Sequence, residues 1–290
     1  MITPKKFTKR QNFMRLIEYL NKNFKDTYYF RGQSDATWEL KSSYLRLAEK
    51  HIKVHPYMSI KNQIEFGKWY LLDELVGRLH LLTNEISEED DCFSKLSFLQ
   101  HFGAHTHIID FTFSPFVALY FSLSEEVKTK RSAIYALKAE NFTDINEIIV
   151  EKTDKKIKKL DPKKYKRHLP QEYYKNDYST IINFHNDHFR DNKKEILEIY
   201  RPRKSNTRIQ IQQGLFMIPT NAMTNVESLI NNVYFKNDDV NALKITYPRE
   251  WCKDIYEYLN KHNINAETLF PGLEGYIRAI KENIIYNDLD

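Results

Sequence analysis

Seven of the eight residues from 116 to 123 are apolar: Phe116, Val117, Ala118, Leu119, Tyr120, Phe121 and Leu123. A helix made of them has no polar side, so it must be buried nearly all round, and the rest of the chain has to surround it. Ser114 and Pro115 mark its start. The hydroxyl caps the first turn, and the ring sits at the first helical position, where a missing N–H costs nothing. Just upstream, residues 106–113 alternate in part as a strand would, with Asp110 and Thr112 on one face. Those two side chains either tie off the strand end or, with His101, His105 and His107, line a cleft at the helix entrance.

The composition supports a folded body around that helix. Among 290 residues there are 18 Phe, 19 Tyr and 3 Trp, and 41% are hydrophobic, which excludes a disordered chain. With only 7 Gly and 9 Pro, regular elements joined by few special turns are expected. No run reaches the ~20 apolar residues of a membrane span, and Met1-Ile2-Thr3-Pro4-Lys5-Lys6 has no apolar secretion stretch. The expectation is a cytoplasmic protein with no membrane contact. Cys92 and Cys252 lie far apart without close ligand partners, so neither a disulfide framework nor a metal site is expected.

In chain order, residues 5–24 read as an amphipathic helix with Phe13, Leu16, Ile17 and Leu20 on one face, so residues 1–27 form a cover packed on a domain spanning 28–290. Tyr28-Tyr29-Phe30-Arg31 is a strand ended by Gly32, which permits a turn or the close approach of a ligand. Arg31, at its exit, is either ion-paired or ligand-binding. Helices follow at 41–48, 60–82 and 93–99, with Glu65, Asp73 and Glu74 read as solvating the outer face of the long one. Further strands are expected at 133–138, 208–219 and 241–247, with Gly214 marking a bulge or close approach in the second. A helix at 251–262 and a closing tail at 269–280 complete an α+β domain, a helical layer around a small mixed sheet.

Charge is local. Residues 151–168 hold nine Lys/Arg against three acids, a net +6, which exceeds the +5 of the whole chain. This polybasic loop is either a solvated surface or a contact for nucleic acid or another acidic partner. His185 and His188 lack a third ligand at a telling spacing.

Several motifs occur in an order that resembles the FRG domain family. Phe30-Arg31-Gly32-Gln33 is followed by Trp38, Leu40, Ser43 and Arg46. Gln100-His101-Phe102-Gly103 leads through Thr106 to Asp110-Phe111-Thr112, Pro115 and Ala118-Leu119-Tyr120-Phe121. Arg208 with Gln213-Gly214-Leu215-Phe216 comes next, then Leu269-Phe270-Pro271-Gly272-Leu273-Glu274-Gly275. The resemblance extends over about residues 28–280. His107 stands where that family usually has Arg, Ala104-His105 where a Leu-Pro type pair is common, and Gly272 where an acid is common.

The resemblance in turn suggests an ADP-ribosyltransferase-like fold and an enzyme that cleaves NAD. In such enzymes an aromatic-Arg-Gly strand end holds the dinucleotide, a second strand carries Ser or Thr beside an aromatic, and a later one carries an acid. By that analogy Arg31, Gly32, Gln33, Gln100, His101 and Thr112 hold NAD, and the catalytic set is drawn from Asp110, Glu274 and Gln213. Gln213 stands where the acid is expected and bears no charge, so Asp110 or Glu274 has to supply it. The resemblance also implies a toxin or phage-defence effector, a protein or nucleic-acid acceptor and an antitoxin partner. The alternative is a non-catalytic module that binds a nucleotide or nucleic acid through Arg31, the basic loop and the aromatics. A metal-dependent nuclease is disfavoured by the lack of a compact acidic cluster.

Overall fold

The structure is a computed structural model that describes residues 2–22, 27–57, 70, 78–86, 90, 92–124, 127–144, 197–202, 207–219, 224–231 and 242–286. The basic segment 151–168, the histidines at 185 and 188 and most of the helix expected over 60–82 lie outside the described residues. The end of that helix, Leu79–Leu81, is a single 3-10 turn.

The all-apolar stretch forms the helix α4, Pro115–Phe121, and its start is as the sequence implies. Ser114 Oγ accepts from the Val117 N–H at 3.3 Å. Pro115, Val117, Ala118, Leu119 and Tyr120 are buried. Just past the helix, Ser122 is fully buried and satisfied. Its hydroxyl donates to the Leu119 carbonyl at 2.6 Å and lies 2.7 Å from the Tyr247 hydroxyl. Tyr120 is hydrogen-bonded through its hydroxyl to Glu282. Removing the cap with Ser114→Ala should cost about 1 kcal/mol in a urea titration, because the Val117 N–H would lose its side-chain acceptor.

Eight described strands form one mixed sheet: β1 (Thr3–Lys6), β2 (Tyr28–Gln33), β3 (Ile109–Thr112), β4 (Arg131–Lys138), β5 (Thr143–Asp144), β6 (Leu197–Tyr200), β7 (Gly214–Pro219) and β8 (Ala242–Pro248). Their order across the sheet is β1-β8-β4-β2-β3-β7-β6-β5. The two outermost pairings, β1 with β8 and β5 with β6, are parallel, and the others are antiparallel. The α+β class stands, with a larger sheet than expected because β1, β5 and β6 add to its edges. Thr3–Lys6 is polar and short, and main-chain pairing with β8 rather than any apolar pattern makes it a strand. The helix expected from residue 5 is therefore α1, Arg10–Lys22, which buries Phe13, Ile17 and Leu20.

Residue alternation assigns the two faces. Phe30, Ile134, Ala136, Leu243, Ile245 and Tyr247 point to one side, where α1, α4 and α7 (Cys252–Lys261) cover them. Tyr29, Tyr135, Leu137, Ile109, Phe111, Leu215 and Met217 point to the other, against Leu40 and α6 (Val226–Leu229). Phe216 and Ile218 return to the first side, where they meet Tyr44 of α2 (Ser43–Val54) and Leu96 of α3 (Cys92–His101). The first face thus carries two separate helical covers, with the junction of β2 and β3 between them.

Two segments differ from the sequence reading in ways that matter for that junction. Residues 208–219 were expected to be one strand, but Thr207–Ile211 is a short helix, α5, and β7 begins only at Gly214. Gln213 takes a positive φ of 50° to make the turn between them. A Cβ at Gly214 would lie 3.3 Å from Ile209 Cγ2, so the close approach expected there is made by α5. Gly32 does not end β2, which runs on to Gln33. A Cβ at Gly32 would sit 1.8 Å from the Ala118 carbonyl oxygen, so the partner that comes close is the backbone of α4.

The chain closes with α8 (Ala266–Leu269) and α9 (Leu273–Tyr286). Among the described residues, no helix is long and apolar enough to cross a membrane.

Candidate active site

β2 and β3 are bridged only where Phe30 faces Thr112. Beyond that bridge the strands no longer pair, and a cleft of about 290 Å³ opens there between the two helical covers. Its walls include Phe30, Phe121, Ala118 and Phe216, and its polar groups include Arg31, Gln100, Asp110 and Arg208.

Asp110 lies in the position that register dictates. It faces Phe216 across β3 and β7, so its carboxylate projects onto the face that carries the cleft. Arg31 alternates to the opposite face from Phe30, but the missing pairing lets its guanidinium occupy the gap. Nη1 donates to the Asp110 carbonyl at 2.7 Å and stands 3.9 Å from the carboxylate. Gln100, at the end of α3, donates from Nε2 to both Asp110 carboxylate oxygens at 2.8 Å. Its own Oε1 accepts from the Thr106 hydroxyl, which fixes the way the amide points. A carboxylate is thus held in one orientation by an amide while its side chain remains 63% exposed to the cleft.

The electrostatics follow from that position. The protein crowding the cleft floor pushes the Asp110 carboxyl up from its ordinary value, and the charges of Arg31 and Arg208 pull against that rise. Water still reaches the group, so crowding perturbs it without sealing it off.

Arg208 of α5 forms the second cationic wall. Its Nη1 lies 2.6 Å from His101 Nδ1 and 3.3 Å from Glu274, and its guanidinium stacks on the Phe270 ring at 4.5 Å. Burial lowers its pKa, while Glu274 opposes that by favouring the charged form. Arg278 stacks on the same ring at 4.2 Å and bonds the other oxygen of Glu274 at 3.0 Å.

Arg31, Gly32, Gln100, His101, Asp110 and Thr112, named from the sequence, line one cleft although they come from three separate segments of the chain. Within it, the Thr112 hydroxyl is already committed, donating to the Gln212 carbonyl at 2.7 Å and accepting from the Ser114 N–H. Five other residues named from the sequence lie elsewhere: His105 lines a neighbouring pocket, the His107 ring lies 6.4 Å from that of Phe93, and Gln33, Gln213 and Glu274 are also outside the cleft walls. Gln33 is 6% exposed behind the strand end, its Nε2 3.5 Å from the Glu39 carbonyl, because β2 continues past the cleft instead of stopping at its rim. Gln213 is on the turn after α5, and its neighbour Gln212 takes the place in the cleft wall. Glu274 borders an adjoining pocket, where it is shared between Arg208 and Arg278.

Arg208 and Gln212 also line the cleft, although the sequence reading gave neither a site role and named Arg208 only within a motif. Their spacing of four is one helical turn, and the Gln212 N–H indeed bonds the Arg208 carbonyl at 2.9 Å. Reading the segment as a strand hid that signal. Among the described residues, no three His, Cys, Asp or Glu side chains gather as a metal site.

No curated protein and no solved structure matches this chain. One family model does match, over residues 26–131, a stretch that holds Arg31, Gln100, Asp110, Thr112 and α4. The strands and helix that build most of the cleft are therefore those of an FRG domain, which this chain carries at residues 26–131.

Proposed function

We propose that the cleft binds NAD or a closely related dinucleotide and cleaves it at the nicotinamide–ribose bond, in the manner of an ADP-ribosyltransferase or NAD glycohydrolase. The observation that carries this reading is the exposed Asp110 carboxylate, held by Gln100 and flanked by Arg31 and Arg208 in a cleft where two central strands part. Breaking an N-glycosidic bond leaves positive charge on the ribose, and a fixed carboxylate facing that carbon stabilises it. Guanidinium groups suit the pyrophosphate, since they pair with its oxygens two at a time. Asp110 is the acid in this scheme, Arg31 and Arg208 hold phosphate, and Phe30 and Phe121 offer apolar surface to the leaving base. Glu274 acts indirectly by keeping Arg208 charged and placed.

The fate of the ribosyl group depends on the acceptor, which is water in a glycohydrolase and a protein or nucleic acid in a transferase. Either route consumes NAD, and that is the physical basis for reading the protein as a toxin or phage-defence effector restrained by an antitoxin partner. Purified protein incubated with NAD should release nicotinamide. Arg31→Ala should weaken NAD binding about tenfold or more, through loss of a charge-assisted phosphate contact. If NAD binds through Arg31 with no nicotinamide released under any acceptor, the site is a binding module and not an enzyme.

A further inference from the structure

A second pocket adjoins the cleft across a partition made of Arg31, Gln100 and Asp110, which line both spaces. It has a volume of about 210 Å³, and its far side is formed by Lys41, Ser43 and Arg46 at the start of α2 together with His105. Its charged lining is three cations, Arg31, Lys41 and Arg46, against the single carboxylate of Asp110. The three cations are held in place by the fold. Lys41 sits 2.6 Å from Glu39 and 2.7 Å from Glu49, and Arg46 donates from Nη1 to the Lys41 carbonyl at 2.8 Å. Ser43 exchanges hydrogen bonds with Thr106, the same residue whose hydroxyl orients Gln100. The pocket wall and the cleft's carboxylate are therefore positioned by one connected set of side chains.

The position of this pocket beside the cleft gives it a purpose. A ligand with its ribose over Asp110 that extends past Arg31 enters the space lined by cations. We infer that the second pocket is a phosphoryl-binding subsite, which takes a phosphate group of the nucleotide whose ribose occupies the cleft. This assignment rests on the nucleotide reading of the cleft for the identity of the ligand. Its cationic lining requires only a phosphate.

Binding measurements separate the subsite from the cleavage chemistry. The probes are inorganic phosphate, ADP-ribose and adenosine, titrated calorimetrically into the wild-type protein, Arg46→Gln and Arg46→Glu. Arg46 is exposed, so both variants should keep the wild-type melting temperature. ADP-ribose affinity should fall about tenfold in Arg46→Gln and further in Arg46→Glu, with adenosine unchanged. Inorganic phosphate that competes with ADP-ribose and weakens in the same variants would place a free phosphate in the same pocket, again as expected. ADP-ribose binding that is equal in all three proteins would overturn the subsite, as would no binding of any phosphate-bearing probe. If NAD is cleaved while Arg46→Gln leaves affinity untouched, the subsite falls alone. If ADP-ribose binds through Arg46 while NAD stays intact, the cleavage reading falls and the subsite stands.

Discussion

Asp110→Asn is expected to lower NAD turnover about a hundredfold, the ~3 kcal/mol that a charge matched to the transition state commonly contributes. The substitution keeps the shape of the side chain and an oxygen for the Gln100 amide, so NAD affinity should change little. Stability should move in the opposite direction to activity. Because the folded protein raises the pKa of this carboxyl, it holds the proton more tightly than the unfolded chain does. The contribution of Asp110 to stability is therefore most favourable below its unfolded value, falls as pH rises through the folded value, and stays lower at neutral pH. The neutral Asn lacks that loss, so the variant should melt at or above the wild-type temperature at neutral pH, and the gap should shrink in acid. The acid limb of the wild-type turnover profile should also lie above the ordinary carboxylate value of 3.8. A variant that loses activity only because it unfolds would show the reverse order of melting temperatures.

The largest effect on folding is expected at Gly32. An added methyl would fall 1.8 Å from the Ala118 carbonyl oxygen and 2.7 Å from the Ser122 nitrogen, both backbone atoms of α4 and the turn that ends it. Neither can move aside as a flexible side chain would, so the helix and β2 would have to separate. Gly32→Ala should cost about 3 kcal/mol or more, the upper range for overpacking a close-packed interior. Urea titration followed by far-UV dichroism measures it. The same separation would displace Phe30 and Arg31 from the cleft, so nucleotide binding should fall together with stability. A variant as stable as wild type would mean that α4 does not rest on Gly32. By contrast, Gly103 has a positive φ of 88° with nothing near its missing Cβ, so there a substitution would meet backbone strain and not a clash.

The pattern of the sequence determined the elements whose physics is local. An unbroken apolar run with a Ser-Pro start can only be a buried helix, and that pattern alone is enough to define α4. Strand signals in residues 133–138 and 241–247, and aromatic enrichment in 28–31, located the central strands for the same reason. The grouping of Arg31, Gln100, His101, Asp110 and Thr112 in one cleft was legible from the order of the motifs and from polar clustering beside core signals. Tertiary structure decided which of them touch, because β2 and β3 separate after a single bridge and let a guanidinium pass between them. No pattern within either strand encodes that parting. The edge strands were also invisible, since β1 is a polar segment whose partner lies about 240 residues away and whose pairing is made by the main chain. Arg208 and Gln212 were misread because a helix of one turn, Thr207–Ile211, is too short to show a period. The exclusion of Gln33 and Gln213 from the cleft had the same origin, in where a strand ends and which way a turn faces. Those outcomes depend on packing between segments far apart in the chain.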